Sequence, residues 1–136
     1  MGPPEVIVVD SSALLAMQFG EPEQRLFSDL ILADAQPCIP ATCLVEVSIG
    51  VRRRGEKTDH VAALVRSARL EVISIDPDIA AIARDADIRF GRGTGHPARL
   101  NFGDCFSYAV AKHLGAPLLF KGDEFIHTDI ESAMPA

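Results

Sequence analysis

Residues 6–9 read Val-Ile-Val-Val, four β-branched apolar side chains in a row with no polar residue between them. Such a run suits a strand covered on both faces, the situation of a parallel sheet packed between two layers of helices. The run stops at Asp10, and Ser11 and Ser12 then supply N-cap chemistry for a helix carrying Leu14, Leu15 and Met17.

The rest of the chain repeats this alternation. Pro22 suits the first turn of a second helix with Leu26, Phe27, Leu30 and Ile31 on one face. That face is expected to be core, with a partner surface as the alternative. Pro37 and Pro40 bracket a very short strand at Cys38-Ile39, and Thr42 is expected to cap a helix carrying Leu44, Val45, Val47 and Ile49 that ends between Gly50 and Gly55. Thr58 is expected to open a helix through Val61, Leu64, Val65 and Ala68, and Glu71 to Ile75 reads as a strand. Asp76-Pro77 provides an N-cap followed by proline at the first helical position, starting a helix that runs to about Phe90. Residues 91–100, with three glycines and a proline, read as a loop. A helix from about Asp104 to His113, stopped by Gly115 and Pro117, leads to a last strand at Leu118 to Phe120.

Short strands joined by helical crossovers run parallel, so the pattern predicts an α/β fold. The expected form is a three-layer α/β/α sandwich with a short-stranded, mainly parallel sheet, one domain over residues 1–136. At 48% hydrophobic and 24% charged residues, the composition is that of a globular domain able to bury its own core. No apolar stretch is long enough for a membrane span and the start does not read as a signal peptide, so no membrane partner is expected. Cys38, Cys43 and Cys105 contain no Cys-x-x-Cys pair and read as reduced thiols, which points to the cytoplasm.

A net charge of −6 argues against a general nucleic-acid binder. The basic residues are nevertheless clustered, at Arg52-Arg53-Arg54 and along Arg84, Arg89, Arg92 and Arg99, and bound cations would cancel acids gathered at one site. In parallel α/β sheets ligands bind outside the carboxyl ends of the strands. Asp10 ends the first strand, Asp123 follows the last one, Asp104 opens the helix that feeds it, and Glu46 lies in the helix after the second strand. Singly, Asp10 is a helix cap, Asp104 a first-turn acid and Asp123 turn chemistry. Glu46, among Leu44, Val45 and Val47, risks burial without a partner. Together the four are suited to a hard divalent cation and to phosphodiester hydrolysis. No zinc-spaced Cys/His set, Walker loop or G-x-G-x-x-G fingerprint competes.

At these residues the sequence resembles a known family. Val8-Val9-Asp10-Ser11-Ser12-Ala13-Leu14 is similar to the opening of PIN-domain ribonucleases. The segments 100–109 and 118–125, with Thr128-Asp129-Ile130 behind, resemble the central and closing motifs of the VapC-like toxins of bacterial type II toxin–antitoxin modules. The resemblance implies a PIN-like fold and a metal-dependent endoribonuclease that arrests translation, using magnesium (Mg2+) or manganese (Mn2+). It implies Asp10 and Asp104 as principal ligands, Glu46 as the helical acid, and a fourth acid at Asp123 or Glu124. Ser11, Ser12 and Ser107 are implied as supporting groups. Arg92 and Arg99, with His96 in the same loop, are weaker candidates for RNA contact. Implied partners are an RNA substrate (tRNA or rRNA among the options), a cognate antitoxin laid over the toxin with a basic side chain among the acids, and a second copy in a homodimer.

Two rivals remain at this point. An aspartyl-phosphate phosphatase with Asp10 as nucleophile usually needs an acid two residues on, where Ser12 stands. A catalytically inactive PIN-like module binding RNA or protein is the other, and the filling of all four acidic positions argues against it.

Overall fold

The computed structural model describes residues 5–33 and 35–135. Four parallel strands form one sheet in the order β3-β2-β1-β4: β1 Val6–Val9, β2 Gln36–Pro40, β3 Glu71–Ile73 and β4 Leu118–Leu119. The helices are α1 Ser11–Gln18, α2 Gln24–Ile31, α3 Ala41–Arg53, α4 Val61–Ser67, α5 Pro77–Phe90 and α6 Phe102–Leu114, with a 3₁₀ turn at Phe125–His127.

The period-two geometry of the strands sorts the core into two halves. Val8, Cys38 and Leu118 point to one face and pack against Ile79, Ala83, Ala86 and Phe90 of α5 and Tyr108 and Ala109 of α6. Ile7, Val9, Ile39 and Leu119 point to the other and pack against α1, α2 and α3 through Leu14, Phe27, Ile31, Cys43 and Val47. This is the three-layer sandwich expected from the sequence. Of the apolar face on α2, Phe27 and Ile31 are buried in that core, Leu30 packs against its edge and Leu26 is exposed.

Several boundaries differ from the sequence reading. Asp10, not a serine, caps α1: its carboxylate accepts from the Ser12 N–H. Helix α2 begins at Gln24, beyond Pro22. Thr42 is the second residue of α3, whose N-cap is Pro40, because β2 runs directly into the helix. His60, not Thr58, precedes α4, and the Asp59 carboxylate accepts from the Val61 N–H there. Helix α6 starts two residues before Asp104, at Phe102, under an Asn101 cap. Strand β2 extends over Pro37 and Pro40, which stand near its two ends where a missing N–H costs the ladder least.

The C-terminal segment is tied back to α6, as Asp129 accepts from the Tyr108 hydroxyl at 2.6 Å and from Lys112 Nζ at 2.5 Å. Among the described residues no helix is long and apolar enough to cross a membrane.

Candidate metal centre

Strand β1 lies between β2 and β4, and Asp10 leaves its carboxyl end at the point where the chain's crossovers part to either side. Its backbone N–H still pairs with Leu119 O at 2.9 Å, so β4 fixes the position of its Cα. Its side chain is buried, 3% exposed, and both carboxylate oxygens are held. Oδ2 accepts from the Ser12 hydroxyl at 2.6 Å and the Ser12 N–H at 3.0 Å, while Oδ1 accepts from the Ser107 hydroxyl. Ser12 Oγ in turn accepts from the Lys121 N–H at 3.0 Å, which ties Asp10 to the exit of β4. Ser107 Oγ lies 3.3 Å from Cys43 Sγ; with the Ser107 proton committed to Asp10, the thiol is the donor in that pair.

Glu46 comes from the second turn of α3. Its Oε1 is buried and has no hydrogen-bond partner. Burial, then the charges of Asp10 and Asp104, push its carboxyl up to about 7, with the Cys43 thiol opposing. Asp104 is the third residue of α6 and closes a capping box: Asn101 Oδ1 accepts from the Asp104 N–H at 2.8 Å, and Asp104 Oδ2 accepts from the Asn101 N–H at 3.0 Å. Burial raises its carboxyl to about 6; the Asn101 N–H and Arg92 pull it down, while Asp10 and Glu124 push it up.

Asp10, Glu46 and Asp104 thus act on one another, and of the last two candidates it is Glu124 whose charge reaches Asp104. Asp123 is exposed at the rim, in a cleft of about 240 Å³ lined also by Arg92, Arg99, Glu124 and His127. Ser12 and Ser107 both hold Asp10, whereas Ser11 occupies the first position of α1, half-buried.

The arginine loop is built on glycine. Gly93 and Gly95 take φ values of 89° and 87°, and Arg99 itself has φ 51°, in the left-handed region disfavoured for a residue with a Cβ. Arg92 closes the loop, its N–H donating to Leu100 O at 3.1 Å and its Nε to Arg99 O at 3.3 Å. His96 is occupied structurally: Nδ1 accepts from the Ala98 N–H at 3.1 Å and the ring stands edge-on to Phe90.

Two contributors escaped the sequence reading. A Cβ on Gly103 would lie 1.7 Å from Glu46 Oε2, so any larger residue there would displace the Glu46 carboxylate. Cys43 carries the hydrogen bond behind Ser107, and its thiol is held well above the ordinary range by burial and by Asp10, so it is an inert donor rather than a nucleophile. The adjacency of glycine to Asp104 in the sequence was a signal for the first; nothing local signals the second.

Among the described residues no group of three or more His, Cys, Asp or Glu side chains is placed so that it could hold a metal ion as it stands. The chemistry of the donor set nonetheless fits a hard cation. Carboxyls raised by burial and then by neighbouring acids, one with an oxygen buried and unpaired, are relieved by a divalent ion.

The architecture is a parallel α/β sandwich with acidic side chains gathered beyond the carboxyl end of β1. The PIN domain family matches residues 7–131, and the chain belongs to that family. It is 39% identical over 129 residues to ribonuclease VapC42 of Mycobacterium tuberculosis, covering 93% of this chain and 98% of that one. Its fold matches the crystal structure of Mycobacterium tuberculosis VapC20, described as a Sarcin-Ricin loop cleaving toxin, with a TM-score of 0.74 at 21% identity, over 95% of this chain and 99% of that one. It also matches VapBC2 of Rickettsia felis, solved bound to a DNA fragment from its promoter, with a TM-score of 0.68 at 14% identity over 93% and 96% of the two chains.

Proposed function

We propose that this chain is a divalent-metal-dependent endoribonuclease, the toxin of a toxin–antitoxin pair. The kinship with VapC ribonucleases supports the reaction class, and the buried, unpaired Oε1 of Glu46, a side chain within reach of the charges of Asp10 and Asp104, carries the site assignment. Asp10, Glu46 and Asp104 would hold magnesium or manganese, with Glu124 favoured over Asp123 as fourth acid because its charge reaches Asp104. When bound, the cation supplies Lewis acidity toward the phosphoryl oxygen and an activated water.

The chain's own part is positioning and charge. Ser12 and Ser107 fix both oxygens of Asp10, so the principal ligand needs no reorganisation. Arg92 and Arg99, at the rim beside Glu124, meet the phosphates flanking the scissile bond as fixed positive charges. Hydrolysis leaves a 5′-phosphate and a 3′-hydroxyl. The proposed substrate is RNA, with tRNA and rRNA among the options.

A protein partner is supported by the apolar surface beside the site. Phe102 and Ile88 are 80% and 70% exposed, and they border a groove between α5 and α6 that reaches Arg92. A cognate antitoxin and a second copy of this chain are the partners proposed for the toxin's surfaces. The three buried free thiols agree with work in the cytoplasm.

The test is cleavage of end-labelled tRNA and rRNA by the purified chain in magnesium, in manganese and in chelator, beside Asp104→Asn. Cleavage that needs both metal and Asp104 is expected, at a rate at least about a hundredfold above the variant's. Equal rates for the two proteins, or turnover in chelator, would remove the proposal.

A further inference from the structure

Glu46 is not alone in lacking a partner. The hydroxyl of Thr42, one helical turn earlier on the same flank of α3, is also buried and unpaired. The usual outlets for a helical threonine are closed to it. A threonine in a helix commonly bonds the carbonyl four residues back, but here that residue is Cys38, in β2. Nor is Thr42 the helix cap, since Pro40 holds that position. A buried hydroxyl and a buried carboxylate oxygen thus both lack a partner, one helical turn apart on α3. Leaving each of them unpaired is destabilising, and each such group calls for an explanation.

We infer that Thr42 is a positioning residue of the metal centre: its hydroxyl, one helical turn from Glu46 on α3, holds the hydration shell of the bound cation. The inference rests on the metal-centre reading above. Magnesium gives up its waters reluctantly and is bound through few carboxylates, so side chains that hydrogen-bond those waters decide both affinity and placement. Thr42 would orient the shell on the α3 side, as Ser12 and Ser107 orient Asp10 on the other.

The substitution that isolates the hydroxyl is Thr42→Val, which keeps shape and β-branching. Mn2+ binding to the metal-free protein, followed by electron paramagnetic resonance without RNA, should weaken about tenfold in Thr42→Val and stay within about twofold of wild type in Thr42→Ser. The melting temperature of metal-free Thr42→Val should equal or exceed that of wild type, since an unpaired buried hydroxyl has been removed. Unchanged Mn2+ affinity in Thr42→Val, alongside weakened affinity in Glu46→Gln, would overturn the role of Thr42 and leave the metal centre standing. A drop in melting temperature with unchanged affinity would make Thr42 purely structural. Absence of Mn2+ binding by wild type would overturn the metal centre, and the role of Thr42 with it.

Discussion

At the scale of residues, the acids at the sheet edge set the pH behaviour of the metal-free protein. Glu46 and Asp104 titrate at about 7 and about 6 when folded, above the ordinary values of 4.5 and 3.8 that apply when unfolded. The folded state therefore binds more protons across that interval, and stability falls as pH rises from about 4 to about 7. Allowing for solvent screening of these half-buried groups, the loss is on the order of 1–2 kcal/mol in all, read by urea melts at several pH values. Saturating magnesium should flatten the slope, because it favours the charged forms. Gly103→Ala makes a sharper point. Alanine inside a helix ordinarily gains about 1 kcal/mol over glycine, yet here the new methyl would enter the space of Glu46 Oε2. Ribonuclease activity should fall as far as in Glu46→Gln, with helix content by circular dichroism retained.

At the scale of elements, the ends of α6 govern how Asp104 is presented. Removing the cap in Asn101→Ala should lower stability by about 1 kcal/mol in chemical denaturation and also weaken activity, since the lost Oδ1 accepts from the Asp104 N–H and so fixes that residue in the capping box. At the other end of the helix, Lys112 and Tyr108 hold Asp129 below the ordinary carboxylate range. The stability this contributes is present above the unfolded-state value and is lost as pH falls through the folded one. Asp129→Asn should therefore flatten the acid limb of the stability curve below about pH 4 while leaving the trend near neutrality unchanged.

The strands were legible because their apolar runs are short and bounded, and alternation with helices forces parallel pairing. The proximity of Asp10, Glu46 and Asp104 was legible because Asp10 follows a strand, Asp104 lies in the first turn of a helix and Glu46 in the second turn of another. Helix starts were less so. Thr42 has the chemistry of a cap, but the direct passage of β2 into α3 gives that position to Pro40. Cys43 and Gly103 depend on how closely α3 approaches α6, a distance that no local pattern encodes. The choice between Asp123 and Glu124 turns on a single residue in a glycine turn, where Gly122 has φ 119°.

At the scale of the whole molecule, the sheet brings together residues from opposite ends of the chain, and the bound cation is expected to act as a fourth structural layer at its edge. Ligand at about a hundred times its dissociation constant adds about 2.7 kcal/mol to stability. The net charge of −6 agrees with the proposed division of labour, in which the acids would hold the ion and the arginine loop would address the RNA locally. The most direct test is to soak crystals of the metal-free protein in manganese and locate the ion by its anomalous scattering. A peak within about 2.5 Å of carboxylate oxygens of Asp10 and Asp104, with Glu46 and Glu124 facing it, is the predicted result. A peak bounded by other residues, or none at a concentration that supports cleavage, would contradict the assignment of this edge as the metal centre.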